Sequence, residues 1–117
     1  MKNQEYIEFH GKKYPLVFDL NVMQDIQEEY GTFDKWAKLT IGNTSGEHST
    51  KAVLFAIMCM INEGIDIEND DKGTNTKPLT QRQVGRMMTE VGLSQTMDKL
   101  QQTIINATDS DKSSKNE

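Results

Sequence analysis

Cysteine is almost missing from this chain: Cys59 is the single one in 117 residues. That excludes an internal disulfide framework and points to a reducing compartment. Histidine is scarce too, with only His10 and His48, and three thiol or imidazole groups spread along a chain are too few and too far apart for a zinc site. Clusters of positive charge are lacking. The formal net charge is -5, and without a basic stripe to displace counterions from phosphates, nucleic-acid binding is not expected. No long hydrophobic run is present either. The longest, residues 52–61, is about half of what a bilayer requires. The opening residues, Met1 to Glu5, lack the apolar stretch of a signal peptide, so no membrane association is expected.

The same scarcity removes most chemistry. Cys59 lies inside the apolar run, where desolvation disfavours a thiolate, so it reads as an inert buried thiol. His10 falls in a turn and His48 in a polar loop, and both read as surface residues. The acidic residues Asp66, Glu68, Asp70 and Asp71 invite a calcium reading that fails on spacing. Counting from Asp66 puts Asp71 at the turn glycine and Lys77 at the bidentate glutamate. Counting from Glu68 places Gly73 correctly but puts Lys72 and Leu79 at ligand positions. Gly42, Gly46, Gly64 and Gly73 are isolated, and neither a phosphate-binding glycine loop nor a nucleophile elbow occurs. No catalytic residue, cofactor or metal is therefore expected.

What remains is a pattern of amphipathic segments, and the expected fold is mainly α (α+β), a short N-terminal β-hairpin packed on about five helices. Tyr6, Ile7 and Phe9, then Tyr14, Leu16 and Phe18, flank His10-Gly11-Lys12-Lys13, and Gly11 suits a tight turn. Pro15 lacks a donor, which confines its strand to an edge or to one-sided pairing. A first helix is predicted from Asp19 or Asn21 to Gly31, with Val22, Met23, Ile26 and Tyr30 on one face. Thr32 caps a short second helix through Phe33, Trp36 and Leu39, and a polar loop runs over residues 42–49.

Residues 52–61 predict a central helix, apolar on every face and so buried all round, either by this domain or on one side by a second protein. Asn62-Glu63-Gly64 reads as its exit and residues 66–78 as a solvated acidic loop. Thr80 and Gln83 match a capping box for the fourth helix, with a stripe of Val84, Met87, Met88 and Val91 up to Gly92. Ser94 caps a fifth helix with Met97, Leu100 and Ile104 on one face and Ile105 beside it. One domain is expected over residues 1–108, and a disordered tail over 109–117.

Two functional classes fit this pattern. Seven methionines favour an adaptable protein-binding groove, and Met58, Met60, Met87, Met88 and Met97 are the candidate lining. The competing account is that all five fill the core. The alternative function is a small helix-turn-helix-like DNA-binding regulator using residues 80–105. Against it, Gly85 and Gly92 are seven apart, too far for that motif, and Lys99 is the only cation on the would-be recognition helix beside Asp98, Gln95, Gln101 and Gln102.

A resemblance favours the first class. Phe9-His-Gly-Lys-Lys-Tyr-Pro-Leu-Val-Phe-Asp-Leu-Asn-Val-Met23 and Ile26-Gln-Glu-Glu-Tyr-Gly31 resemble the opening of tail assembly chaperone-like proteins from siphophages and prophages of Gram-positive bacteria. Pro78-Leu-Thr-Gln-Arg-Gln-Val-Gly-Arg-Met-Met88, after an apolar helix ending in Asn62-Glu63-Gly64, is similar to a second stretch of that family. The likeness spans about residues 6–105 and rests on short structural motifs. It implies a non-enzymatic chaperone in the host bacterial cytoplasm, not part of the mature virion. The partner it implies is the tape-measure protein, whose aggregation it prevents during tail tube assembly. The tail tube protein and a second copy of the chain are further candidate partners. Some members of the family have a longer frameshifted form.

Overall fold

The computed structural model describes residues 4–43 and 48–115, with side chains described up to residue 108. Two strands, β1 (Tyr6–Phe9) and β2 (Lys12–Pro15), precede five helices: α1 (Leu20–Tyr30), α2 (Phe33–Leu39), α3 (Thr50–Lys72), α4 (Gln81–Val91) and α5 (Leu93–Lys115). The mainly helical class with an antiparallel N-terminal hairpin matches expectation.

The hairpin turn is tighter than the sequence suggested. His10 and Gly11 both adopt positive φ, 51° and 79°, which makes a two-residue turn whose twist matches the strands. Phe9 then faces Lys12, Ile7 faces Tyr14, and Pro15 faces Tyr6. Closing on Phe9 and Lys12 makes alternate pairs hydrogen-bonded, so Pro15 falls on a pair that needs no N–H from it. The next residue resumes the ladder, Leu16 N donating to Glu5 O at 2.9 Å. Ile7 and Leu16 are thereby turned into the core, where both are buried.

α3 is the element on which the others pack. Ser49 caps it through Ala52 N, and Gly73, left-handed at φ 66°, ends it. The expected exit at Asn62-Glu63-Gly64 is therefore wrong, and residues 66–72 are helix, not loop. Gly64 serves another purpose. A Cβ there would stand 3.3 Å from both Pro15 Cγ and Pro15 O, so the missing side chain lets the end of β2 lie directly on the helix. Val17 N is held at 3.4 Å from the Met60 carbonyl in the same contact.

The chain past α3 is not a free solvated loop either. Asn62 receives Leu79 N (2.8 Å) and donates to Leu79 O (2.9 Å). Asn69 does the same for Thr76, at 3.0 Å each way. Two amides seven residues apart lie on one helix face, and each satisfies a backbone pair as a neighbouring strand would. The return segment is thus fastened along α3 until Thr80 opens α4 with both halves of its capping box present.

α3 buries a single broad stripe: Ala52, Val53, Ala56, Ile57, Met60, Ile61, Gly64 and Ile65. Burial all round does not occur. Leu54, Phe55, Met58 and Cys59 remain only partly covered. Trp36 anchors α2 to this stripe, fully buried, its indole N–H donating to Ala52 O at 2.9 Å. α1 ends as expected at Gly31, and Asp19 caps its start through Val22 N.

α5 begins at Leu93, two residues earlier than a Ser94 cap would place it. Gly92, at φ 103°, ends α4 by donating to Met88 O, and its own carbonyl accepts from Thr96 N. The helix continues past residue 108 to Lys115, so the boundary expected there is not a helix end. Residues 116–117 and the side chains from 109 onward of the expected tail lie outside the described residues, as do 44–47 of the polar loop. Thr96 and Thr103 sit in the buried stripe of α5 beside Leu100 and Ile104. Their hydroxyls are satisfied by the carbonyls four residues back, Gly92 and Lys99.

Two glycines inside helices should respond in opposite ways to alanine. At Gly85 a Cβ meets only Leu54, at 3.9 Å, so Gly85→Ala is expected to stabilise the fold by roughly 0.5–1 kcal/mol. Pro15 is held on both sides by backbone hydrogen bonds and has no room to retreat, so Gly64→Ala is expected to cost about 1 kcal/mol or more. Urea midpoints of both variants against wild type decide the matter, and a stabilising Gly64→Ala would refute the close contact.

Candidate partner-binding surface

The chemistry-bearing side chains do not converge. His10 stacks on Phe9, with ring centroids 3.9 Å apart, and reaches Glu90 at 3.2 Å. His48 Nδ1 lies 2.9 Å from Thr40 O. Each histidine ties two segments together. Among the described residues no group of three His, Cys, Asp or Glu side chains is placed to hold a metal ion, and no helix is long and apolar enough to cross a membrane.

Cys59 is half-buried beside α1. Burial pushes its thiol up to about 12, helped by the Asp25 charge, a hydrogen bond to that carboxylate, and Glu29. Glu63 is also raised above the ordinary carboxyl value. The main cause is a hydrogen bond with the Asp19 carboxyl, opposed by Asn21 and reinforced by burial and by the charges of Asp19 and Asp66. Asn21 Nδ2 donates to Glu63 at 2.9 Å. This bond joins α1 to α3, two residues after the Asp19 carboxylate that caps α1 through Val22 N.

The partly covered faces of α3 open onto two depressions. One is a cleft of about 750 Å³ between the start of α3, α4 and the head of α5, walled by Leu54, Met88 and Leu93, with Gly85 on α4 and Arg82 and Arg86 among its lining. The second, of about 530 Å³, runs between α1, α3 and the return segment. Phe55, Met58 and Cys59 share it with the carboxylates Asp25, Glu28, Glu29, Glu63 and Asp66. Among the described residues no helix closes over these two sides of α3.

The five methionines are not gathered on one surface. Met60 and Met87 are core residues, 0% and 1% exposed. Met88 is 4% exposed yet contributes to the apolar cleft. Met58 lines the acidic groove, and Met97 is half-buried against the core. The cleft instead depends on Leu54 and Leu93, which sequence reading had not selected. Leu54 lies in an apolar run where nothing distinguishes a wall from a core position, and Leu93 stands alone between Gly92 and Ser94. Arg82 and Arg86 carried a better signal, because they are the only two arginines of the chain and stand four apart on one helix.

Against known proteins the search is empty: no family model, no curated protein and no solved structure matches the chain.

Two expectations follow from the titrating groups. With its thiol moved from 9.0 to about 12, Cys59 should hold about a thousandfold less thiolate than an exposed cysteine at neutral pH. Iodoacetamide should therefore label it rapidly in urea and barely at all in buffer, and equal rates would refute the assignment. Glu63 binds its proton more tightly folded than unfolded, so its contribution to stability is present in acid and lost as pH rises through the raised value. Glu63→Gln should be more stable than wild type near about pH 7, with the gap closing toward about pH 4, below the ordinary carboxyl value of 4.5. Denaturation at both pH values measures this, and a gap independent of pH would contradict it.

Proposed function

We propose that this protein is a phage tail assembly chaperone. It binds the tape-measure protein in the host bacterial cytoplasm, prevents its aggregation during tail tube assembly and stays out of the mature virion. It acts by binding, without a catalytic step.

The observation that carries this reading is the uncovered apolar cleft beside α3, in a domain whose titratable groups serve as caps and fasteners. A tape-measure chain is long and helical, and before its tube forms it presents apolar stripes that associate with one another. A preformed concave apolar wall is the surface such stripes need. The stretches that carry the family resemblance fall on the frame around this wall and, in α4, on the wall itself, since Pro78 to Met88 includes Gln81, Arg82, Gly85, Arg86 and Met88. The first makes the hairpin and α1, Asn62 and Gly64 are the fastening points on α3, and Thr80 and Gln83 are the capping box of α4.

The would-be recognition helix of the DNA-binding alternative loses its one cation, and Arg82 and Arg86 lie on the helix before it. Lys99 lies 3.9 Å from Glu5, and both are largely covered. A duplex contact through α5 would have to break that pair and bring Asp98 close to phosphates.

Affinity capture of the tagged protein from phage-producing cells at moderate salt is the test, with mass spectrometry of the eluate. The expected result is recovery of a very long, helix-rich tape-measure protein, with the tail tube protein as a second candidate. Nuclease-sensitive DNA in the eluate, or the protein alone, would overturn the reading.

A further inference from the structure

The apolar cleft is also the positive site of a negative molecule. Arg82 and Arg86, the chain's only arginines, both line it and are both exposed. No carboxylate lines it with them, whereas five line the groove on the other side of α3. The salt bridges among the described residues use His10, Lys38, Lys72 and Lys99, and neither arginine. Four residues apart on α4, the two guanidinium groups repel each other, and like charges at this spacing cost a helix a few tenths of a kcal/mol. A partner bearing opposite charge removes that cost. Guanidinium groups, moreover, bind carboxylates through a planar two-pronged geometry that fixes orientation.

We propose that the cleft is the docking groove for an acidic amphipathic helix of a partner protein. Leu54, Met88 and Leu93 receive its apolar side chains, and Arg82 and Arg86 bind carboxylates one helical turn apart on its flank. A volume of about 750 Å³ suits the side chains of one helix face, with the rest of the partner left outside. The proposal rests on the chaperone reading for its natural occupant, a tape-measure segment of this character. It narrows the clients to helices with acid beside the apolar stripe and predicts salt-sensitive capture.

The probe is a synthetic amphipathic helix about 20 residues long, enough to hold helical structure. It carries a leucine stripe and glutamates one turn apart, and is compared with the same peptide bearing lysines in place of glutamates. Fluorescence anisotropy with the intact protein at low salt should show the acidic peptide binding at least about tenfold more tightly. The double variant R82E/R86E should reverse that preference. Gly85→Leu, which fills the cleft at a position where a Cβ has room, should abolish binding of both peptides while the urea midpoint does not fall. Equal binding of the two peptides, or binding unaffected by Gly85→Leu, would overturn the proposal. So would concentration-dependent self-association lost in Gly85→Leu, since the occupant would then be a second copy, or duplex DNA binding lost in R82E/R86E.

Capture of the tape-measure protein by the same variants separates the two readings. If wild type and both variants hold it equally, the chaperone role stands and the groove is refuted. If wild type binds the acidic peptide in the expected pattern but no tape-measure protein, the groove stands and the client is wrong.

Discussion

The close approach of β2 to α3 sets the rest of the architecture. A hairpin of four-residue strands has too little surface to be stable alone in water, and here its stability comes from lying on a helix at backbone contact distance. Gly64 permits that distance and Pro15 fills it. With the hairpin in place, Ile7 and Leu16 complete the core over Met60 and Ile61, and the opposite end of β1 offers α4 and α5 a surface to close against. A Cβ at position 64 would press on Pro15 at 3.3 Å and push the hairpin outward by a few tenths of an ångström, loosening its seat on α3.

α3 divides its labour along its circumference. One stripe is core, and the two flanking edges are each half-covered and of opposite electrostatic character. Such a division is what a domain of this size offers most readily, since a helix apolar on every face needs more neighbours than five helices and a hairpin can supply. The uncovered remainder includes the apolar cleft walled by Leu54, Met88 and Leu93.

Much of this was readable from residue order, and the reasons for success and failure are physical. Asp19, Thr32, Ser49 and Thr80 act as helix caps, because hydroxyl and carboxylate caps act locally and need no tertiary partner. The turn at His10 and Gly11 was equally local. Gly64 misled because a glycine that permits close packing and one that ends a helix look alike in a sequence, and only the presence of Pro15 across the way distinguishes them. Asn62 and Asn69 misled for a related reason. Amides in a polar stretch suggest solvated loop, yet here they bind the backbone of residues that lie seven to seventeen positions later. The candidate methionines scattered because Met suits a core as well as a surface, whereas the cleft's walls depend on which face of α3 the neighbouring helices leave bare.

The N-terminal hairpin has one further consequence, for the order in which the molecule can be completed. Glu5 meets Lys99, and His10 meets Glu90, so the first of these elements to leave the ribosome is joined to α4 and α5, the last two of them. Contacts between α1 and α2, or between α3 and α4, close short loops and can form while synthesis continues. The hairpin's outer contacts cannot. Until α4 and α5 have emerged, Ile7 and the lower core have only α3 for cover, so the described fold reaches its full stability only after its last helix is made.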